Sequence, residues 1–480
     1  MNIKMVLYIL GYLLRVEAAL MALPCAVALG YGEACAIDFM KTIVLSLLAG
    51  VLLSFKRPRN GVIYARDGFV VVALSWIAMS AVGALPFYWS GEIPSYIDAL
   101  FETVSGFTTT GASILTAVEG MSQGLLFWRS FTHWIGGMGV LVFILSVLPL
   151  AGDRSMHLMR AEVPGPTVGK LVPRLQKTAK LLYGIYFIMT LIEIGLLLLG
   201  GMPLFDSIVH SFGTAGTGGF GIKNNSIAYY NSAYIDGIIG VFMILFGINF
   251  NLYYILLLGD VKQVLRNEEL RCYLGIIAAS VMAITVNIRP LYQSITASFR
   301  YAFFQVASII TTTGYATADF DQWPELSRAI LVLLMFCGAC AGSTGGGIKA
   351  ARLVILYRAV KKSIGRMLHP RSVGIVKFEG KTIDSDTIDG VHVFFATLMA
   401  IACVTVLIIS LDGFDFTTNF TAMAACLNNV GPGLGVVGPT GNFSAFSSLS
   451  KLTLTANMLL GRLEIFPILT LFAPSVWKSK

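Results

Sequence analysis

The sequence predicts an all-α polytopic membrane protein. It would hold four repeats of a long helix, a half helix, a glycine-containing strand and a second long helix, with pseudo-fourfold symmetry around one axis. An extra two-helix hairpin would precede them. Three observations predict this. Of the 480 residues, 56% are hydrophobic and 12% charged, against about 25% charged in soluble domains. Ten apolar stretches reach the roughly 20 residues that a spanning helix needs. Four shorter apolar pieces lie between them, each followed by a glycine-containing stretch, at intervals near 100 residues. An ordinary soluble enzyme is excluded by the composition, and so is a disordered chain, which would be charged rather than apolar.

The first span, 6–30, follows Lys4 and contains Arg15 and Glu17. It is longer than the apolar core of a signal peptide and lacks a small-residue cleavage site, so it reads as a retained helix. With 36–55 it forms the extra hairpin, residues 1–56. The remaining full-length candidates are 68–89, 125–149, 181–200, 235–258, 273–289, 326–358, 390–411 and 447–473. The short pieces 95–108, 203–215, 295–311 and 415–427 cannot span and read as half helices. The repeats then occupy 67–150, 178–260, 272–360 and 388–475.

After each half helix comes a small, polar, glycine-containing stretch: Thr108–Ser113, Gly216–Phe220, Thr311–Ala316 and Asn428–Gly433. Gly111, Gly218, Gly314 and Gly431 are spaced by 107, 96 and 117 residues. Charge supplies the orientation. Of 34 Lys and Arg, 26 fall on one side of this layout, seven on the other, and Arg462 within a span. The positive-inside rule makes the rich side, with both termini, cytoplasmic. The glycine stretches lie on the outer side, where acidic residues outnumber basic ones and would concentrate cations.

Non-helical backbone survives at membrane depth only inside protein or along a water-filled path. Four such stretches at equivalent places suggest a ring whose carbonyl oxygens replace the hydration shell of an alkali cation. Glycine admits the backbone angles this requires, and threonine hydroxyls can add ligands. The half helices would aim their negative ends at the axis. The competing explanation, glycines that only let helices pack closely, accounts poorly for four clusters that each follow a non-spanning segment on one side.

These residues also carry a resemblance. Phe101 to Gly111 and Gln305 to Gly314 resemble the first and third filters of the Trk/Ktr/HKT superfamily of potassium transporters. Trp128-Arg129, Trp134 to Gly139 and Leu148-Pro149 look like the helix after that family's first filter, and Asn428 to Gly433 resembles its fourth. The extra N-terminal pair is similar to the TrkH branch. The resemblance covers nearly the whole chain. It implies four M1–pore helix–filter–M2 units and potassium uptake across the cell membrane, with the four spaced glycines central in the filter. The potassium-binding residues would be Thr109, Thr110 and Gly111; Thr217, Gly218 and Gly219; Thr312, Thr313 and Gly314; and Asn429, Val430 and Gly431. Glycine rather than serine at position 111 favours potassium over sodium. The second stretch departs most from the pattern, because Gly216-Thr217 precedes Gly218. The resemblance further implies a homodimer, a cytosolic TrkA-type nucleotide-binding partner and no cofactor in this chain beyond the transported ion.

The second long helix of repeat three is interrupted. Residues 338–347 are all small, and five are glycine, each costing a helix about 1 kcal/mol relative to alanine. Such a run should break the helix in mid-membrane. Gly342 lies 28 residues after Gly314, and Arg462 lies 31 after Gly431, so the two should sit at similar depth. An arginine inside a span faces the interior or a cavity. Gly342, Gly345, Gly346, Gly347 and Arg462 are therefore the candidate gate, with the guanidinium repelling cations and bonding loop carbonyls; the resemblance implies the same. A structural ion pair with Glu464 or another carboxylate is the plainer reading of Arg462, but residues two apart on a helix do not face each other, which makes Glu464 a poor partner. The stretch is no phosphate loop, because Ile348 separates Gly347 from Lys349 and Ala350 replaces the hydroxyl residue.

Glu102, Arg129 and Arg300 read as braces around the ring. Asn249 and Asn251 either line the path or bond a neighbouring helix. Glu193 is either a proton site or one half of an interhelical pair. Cys337 and Cys340 sit in an apolar helix and read as small packing residues. The five histidines show no metal spacing, and no hydrolase motif is present. The basic loops 150–180 and 349–389 can meet anionic lipid or a soluble partner. The competing function in the same class is an H⁺- or Na⁺-coupled cation symporter; a membrane enzyme lacks a convergent catalytic set.

Overall fold

The computed structural model describes residues 1–56, 58, 64–139, 175–292, 294–371 and 374–477. The extra hairpin is α1 (Ile3–Tyr31) and α2 (Cys35–Ser54). Gly32, with φ 71°, closes α1 by donating its N–H to Ala28 and Leu29. The two helices approach closely at Gly11 and Gly50, where a β-carbon on either would lie within 2.8 Å of the other's carbonyl oxygen.

The first unit comprises α3 (Ala65–Gly83), short α4 (Leu85–Trp89), half helix α5 (Tyr96–Phe107) and α6 (Gln123–Gly137). The second holds α7 (Leu175–Leu199), half helix α8 (Leu204–Gly216), α9 (Ala233–Phe246), α10 (Phe250–Leu257) and the connecting α11 (Val261–Arg266). The third holds α12 (Glu268–Ile288), half helix α13 (Ile295–Ile310), α14 (Glu325–Cys337) and α15 (Ala350–Leu368). An antiparallel two-stranded hairpin, β1 (Lys377–Phe378) and β2 (Lys381–Thr382), leads into the fourth. That unit holds α16 (Ser385–Ile409), half helix α17 (Phe416–Leu427), α18 (Ser448–Arg462), α19 (Phe466–Leu471) and α20 (Pro474–Trp477).

Among the described residues, six helices are long and apolar enough to cross a membrane, or seven if the bent pair α9 and α10 counts as one. The half helices have 12, 13, 16 and 12 residues. At 1.5 Å per residue none covers a hydrocarbon core of about 30 Å. They are nevertheless the buried centre: nearly every residue in the second half of each is inaccessible. The long helices turn apolar side chains outward instead, among them Leu52, Leu199, Val286 and Leu407. Such faces suit lipid.

The structure corrects three of the expected spans and shows the break expected in a fourth, 326–358. Ranges 125–149, 235–258, 326–358 and 447–473 are not continuous helices. Helix α6 stops at Gly137, α9 turns by 91° into α10, α14 stops at Cys337, and α18 stops at Arg462. The helix after every glycine stretch thus stops or bends early, not only the third. Close backbone approach explains much of this. A β-carbon on Gly136 would sit 1.8 Å from the Phe107 carbonyl oxygen, and one on Gly461 2.1 Å from that of Leu427. The breaks lie directly against the ends of the half helices, where only glycine fits, and glycine weakens a helix. The continuation of 125–149 past residue 139, with Leu148-Pro149, and most of the basic loop 150–180 lie outside the described residues.

Candidate functional site

Each half helix ends in the same turn. After α5, the Thr109 N–H donates to Gly106 and the Thr110 N–H to Ser105. After α8, Thr217 donates to Thr214 and Gly218 to Gly213. After α13, Thr312 donates to Ile309 and Thr313 to Ser308. After α17, Asn429 donates to Cys426 and Val430 to Ala425. This pair of bonds is the Schellman cap, whose pivotal residue is left-handed. Thr109, Thr217, Thr312 and Asn429 accordingly have φ of 54°, 55°, 60° and 57°. Asparagine tolerates that region, but threonine is β-branched and resists it. The cap is held there by its surroundings.

Two residues later the chain is left-handed again, at Gly111, Gly219, Gly314 and Gly431, with φ of 79°, 76°, 87° and 98°. A β-carbon on Gly111 would lie 2.0 Å from the Gly218 carbonyl oxygen. One on Gly219 would lie 2.0 Å from that of Thr313, one on Gly314 2.4 Å from that of Val430, and one on Gly431 2.7 Å from that of Thr110. First touches second, second touches third, third touches fourth, and fourth touches first. The four stretches abut in a closed cycle, and the same four glycines line one cavity of about 140 Å³.

This corrects the register of the second stretch. Its equivalent of Gly111 is Gly219, not Gly218. Gly218 is a glycine for another reason: a β-carbon there would meet the His133 ring at 2.3 Å. His133 on α6 bonds the Gly106 carbonyl through Nδ1 at 2.7 Å and accepts from the Phe220 N–H through Nε2 at 3.2 Å. Nδ1 therefore carries the proton, and the imidazole stitches the first unit to the second.

The threonine hydroxyls are mostly committed. Thr108 and Thr110 bond each other at 2.8 Å, as do Thr311 and Thr313. Thr110 also accepts from Asn429 Nδ2 at 2.9 Å, and Thr217 donates to the Gly216 carbonyl at 2.6 Å. The buried Thr109 hydroxyl has no partner. Backbone oxygens are thus the main ligand supply that this arrangement offers.

Glu102 and Arg129 form a buried pair at 2.6 Å. Glu102 also accepts from Ser113 Oγ and the Ile114 N–H at 2.9 and 3.0 Å. Arg129 reaches the Gly221 carbonyl at 2.8 Å and lies 3.5 Å over the Phe220 ring. Arg300 pairs with Asp236 at 2.7 Å. These charges sit where braces between adjoining stretches would.

Residues 338–349 form a loop against the ring. Gly338 opens it at φ 69°. The Cys340 N–H donates to Gly247, the Thr344 N–H to Phe246, and the Phe250 N–H to Gly342. The loop thereby fills the bend between α9 and α10. Asn249 caps α10 by accepting from the Asn251 N–H at 3.0 Å, and lies against Gly342. The Gly346 N–H donates to Thr312 Oγ1 at 2.6 Å. A β-carbon on Gly346 would lie 2.4 Å from the Asn428 carbonyl oxygen, and one on Gly345 2.9 Å from that of Thr311. Loop and ring are in contact.

Arg462, 8% exposed, donates to the Thr344 carbonyl at 2.7 Å, to Gly137 at 2.8 Å and to Gly136. It bridges the loop to the broken end of α6. Glu464 is engaged elsewhere, with Arg352, at 2.5 and 3.2 Å. The turn beyond Arg462 holds Ile465 at φ 69°, a strained position for a β-branched residue.

Two charged residues here were not anticipated. Lys349 was grouped with the basic loop that follows, yet it is 2% exposed and donates to the Gly345 carbonyl. Glu269, 4% exposed, accepts from the Ala341 N–H at 2.6 Å and the Ala351 N–H at 3.1 Å. The glycine run signalled the loop, but nothing in the sequence links Glu269 to it across 72 positions. Glu193 and Glu17 are fully buried, and Glu193 faces the Thr214 hydroxyl of α8. Among the described residues no cluster could hold a resident metal ion.

The family model for TrkH, a cation transport protein, matches residues 36–479. Similar curated proteins include the Trk system potassium uptake protein TrkH of Salmonella typhimurium, 37% identical over 486 residues, with 100% of both chains covered. Another is the Trk system potassium uptake protein TrkG of Escherichia coli strain K12, 34% identical, with 100% of this chain and 99% of that one covered. Among solved structures, the potassium transporter TrkH from Vibrio parahaemolyticus matches with a TM-score of 0.90 at 33% identity, covering 100% of each chain.

Proposed function

This chain belongs to the TrkH family of cation transport proteins, and from that premise we propose how it carries potassium. It is a multi-pass membrane protein for potassium uptake, and not an enzyme; the transported ion is its only small partner. In our reading the ring conducts K⁺ through backbone oxygens of Thr109–Gly111, Thr217–Gly219, Thr312–Gly314 and Asn429–Gly431. One observation carries this: four left-handed glycines, each placed so that a β-carbon would strike the next stretch's carbonyl oxygen, in a cycle that closes on itself. The negative ends of the four half helices converge on that ring and favour a cation there. Close backbone contact without intervening side chains is the arrangement that lets carbonyls replace a hydration shell.

The loop 338–347 and Arg462 obstruct the path beneath the ring. The guanidinium adds positive charge, and Lys349 adds a second. The four units 67–150, 178–260, 272–360 and 388–475 are the conducting repeats, and 1–56 is peripheral. The protein sits in the cell's inner membrane with both termini cytoplasmic, as a homodimer. Its basic face receives a cytosolic TrkA-type regulatory subunit.

Ion flux into liposomes holding the purified protein tests the reading, with K⁺, Rb⁺ and Na⁺ compared with and without a proton gradient. Passive, selective K⁺ and Rb⁺ flux is expected. A strict need for an H⁺ or Na⁺ gradient would replace the channel-like mechanism by coupled symport. The burial of Glu193 within a span is what favours that second reading, since an ionisable residue there is a candidate proton site.

A further inference from the structure

We propose that Glu269 is the positioning residue that holds the intramembrane loop in its obstructing place, and that the β1–β2 hairpin reaches it through Glu379. The inference rests on the loop's being a gate.

Glu269 holds both ends of the loop with one oxygen. The Ala341 N–H belongs to its first residues, and the Ala351 N–H to the first turn of α15 just beyond it. Neither donor has a place in a helix ladder: Ala341 lies outside any helix, and the first amides of a helix, such as that of Ala351, lack intrahelical acceptors. A buried carboxylate oxygen is a strong acceptor for such amides. Between these two anchors the loop carries its contacts to the path: Thr344 to Arg462 and Gly346 to Thr312. Release of Glu269 frees the loop at both ends while leaving the ring's own bonds intact.

The hairpin reaches the same place from the opposite side. Its turn is Glu379-Gly380, with φ of 52° and 72°. Both positions of this turn need positive φ, which Asn, Asp and Gly supply at low cost. Glutamate does not, so its presence there calls for compensation. The compensation is visible. Glu379 Oε1 accepts from the N–H groups of Glu268 and Glu269, at 2.8 and 3.2 Å, and the Glu379 N–H donates to Glu268 Oε2 at 3.2 Å. The hairpin therefore caps α12 at the residue whose side chain holds the loop. Arg358 of α15 ties the assembly together, pairing with Glu268 at 2.9 Å and donating to the Lys377 carbonyl. The hairpin's own Lys377, Gly380 and Lys381 are exposed. Displacement of that exposed tip acts on the first amides of α12, then on Glu269, then on the loop.

Rb⁺ efflux from liposomes holding the full-length protein tests this, with Arg462→Ala as the reference for the gate. Loss of a hydrogen-bonded charged acceptor makes Glu269→Ala raise basal efflux by about tenfold, with the K⁺ over Na⁺ preference unchanged. Glu269→Gln keeps an oxygen for both amides and stays within about twofold of the parent. Glu379→Ala, outside the spanning segments, raises efflux by about threefold and serves where Glu269→Ala fails to fold. If Arg462→Ala opens the path and Glu269→Ala does not, the inference is overturned and the gate stands. If neither opens it, the gate reading falls and the inference with it. Equal leakage through Glu269→Gln and Glu269→Ala, or loss of ion preference, also overturns it. An unaltered Glu379→Ala removes the hairpin from the chain of contacts.

Discussion

The ring and the loop beneath it are built on opposite principles. In the ring, one backbone solution is used four times: a Schellman cap, a left-handed pivot, and a glycine two residues later against the next stretch. Side chains serve mainly as braces behind it. Among the described residues such a loop occurs once, in the third unit, and is held by side chains: Arg462 from α18, Glu269 from α12 and Lys349 from its own far end. Repetition suits a structure that must present equivalent oxygens around an axis. A single asymmetric loop suits a device with two positions, because moving it leaves the four-part ring undisturbed. Several substitutions would break or sharpen that contrast.

The largest effect is expected at Gly219. A β-carbon there lies 2.0 Å from the Thr313 carbonyl oxygen, so Gly219→Ala should abolish selective K⁺ flux. A β-carbon at Gly218 meets the His133 ring first, at 2.3 Å, so His133→Ala should restore part of the flux of Gly218→Ala and none of that of Gly219→Ala. Equal rescue of both would return the register to Gly218. Next, Arg129→Ala leaves Glu102 as a buried unpaired charge. Breaking such a pair costs about 3–5 kcal/mol, to be read as a lower unfolding temperature in detergent with loss of ion preference. Arg462→Ala should act on the loop and the end of α6, leaving the ring's own bonds in place. It removes hydrogen bonds to three carbonyls and should raise basal flux about tenfold or more with selectivity kept; lower flux with normal folding would make the arginine structural. The smallest effect is expected for Thr344→Val. It loses one hydroxyl bond to Phe246 at 3.2 Å, worth about 1 kcal/mol, and should increase leak only a few-fold.

The same contrast explains what was legible in the sequence. The half helices were visible because an apolar run of a dozen residues is too short to span, and the glycine stretches because close backbone contact admits no side chain. The loop was visible as ten consecutive small residues. The breaks in α6, α9 and α18 were not, since one or two glycines in an apolar run are common in spanning helices. The register of the second stretch was obscured because Gly218 and Gly219 are adjacent and answer to different neighbours, one to His133 and the other to Thr313. The roles of Glu269 and Lys349 were hidden because charged residues at the ends of spans look like ordinary topology signals.

Composition and spacing along the chain were enough to indicate a membrane solvent, four short apolar segments and the glycine stretches that follow them. Those follow from local rules: the length needed to cross a bilayer, and the absence of a β-carbon where chains must touch. Which carbonyl each glycine faces, and which acid and which arginine bond the loop, were decided only when distant segments met. Those pairings join residues tens to hundreds of positions apart, and a chain's linear pattern carries no record of partners whose contact exists only in the folded protein.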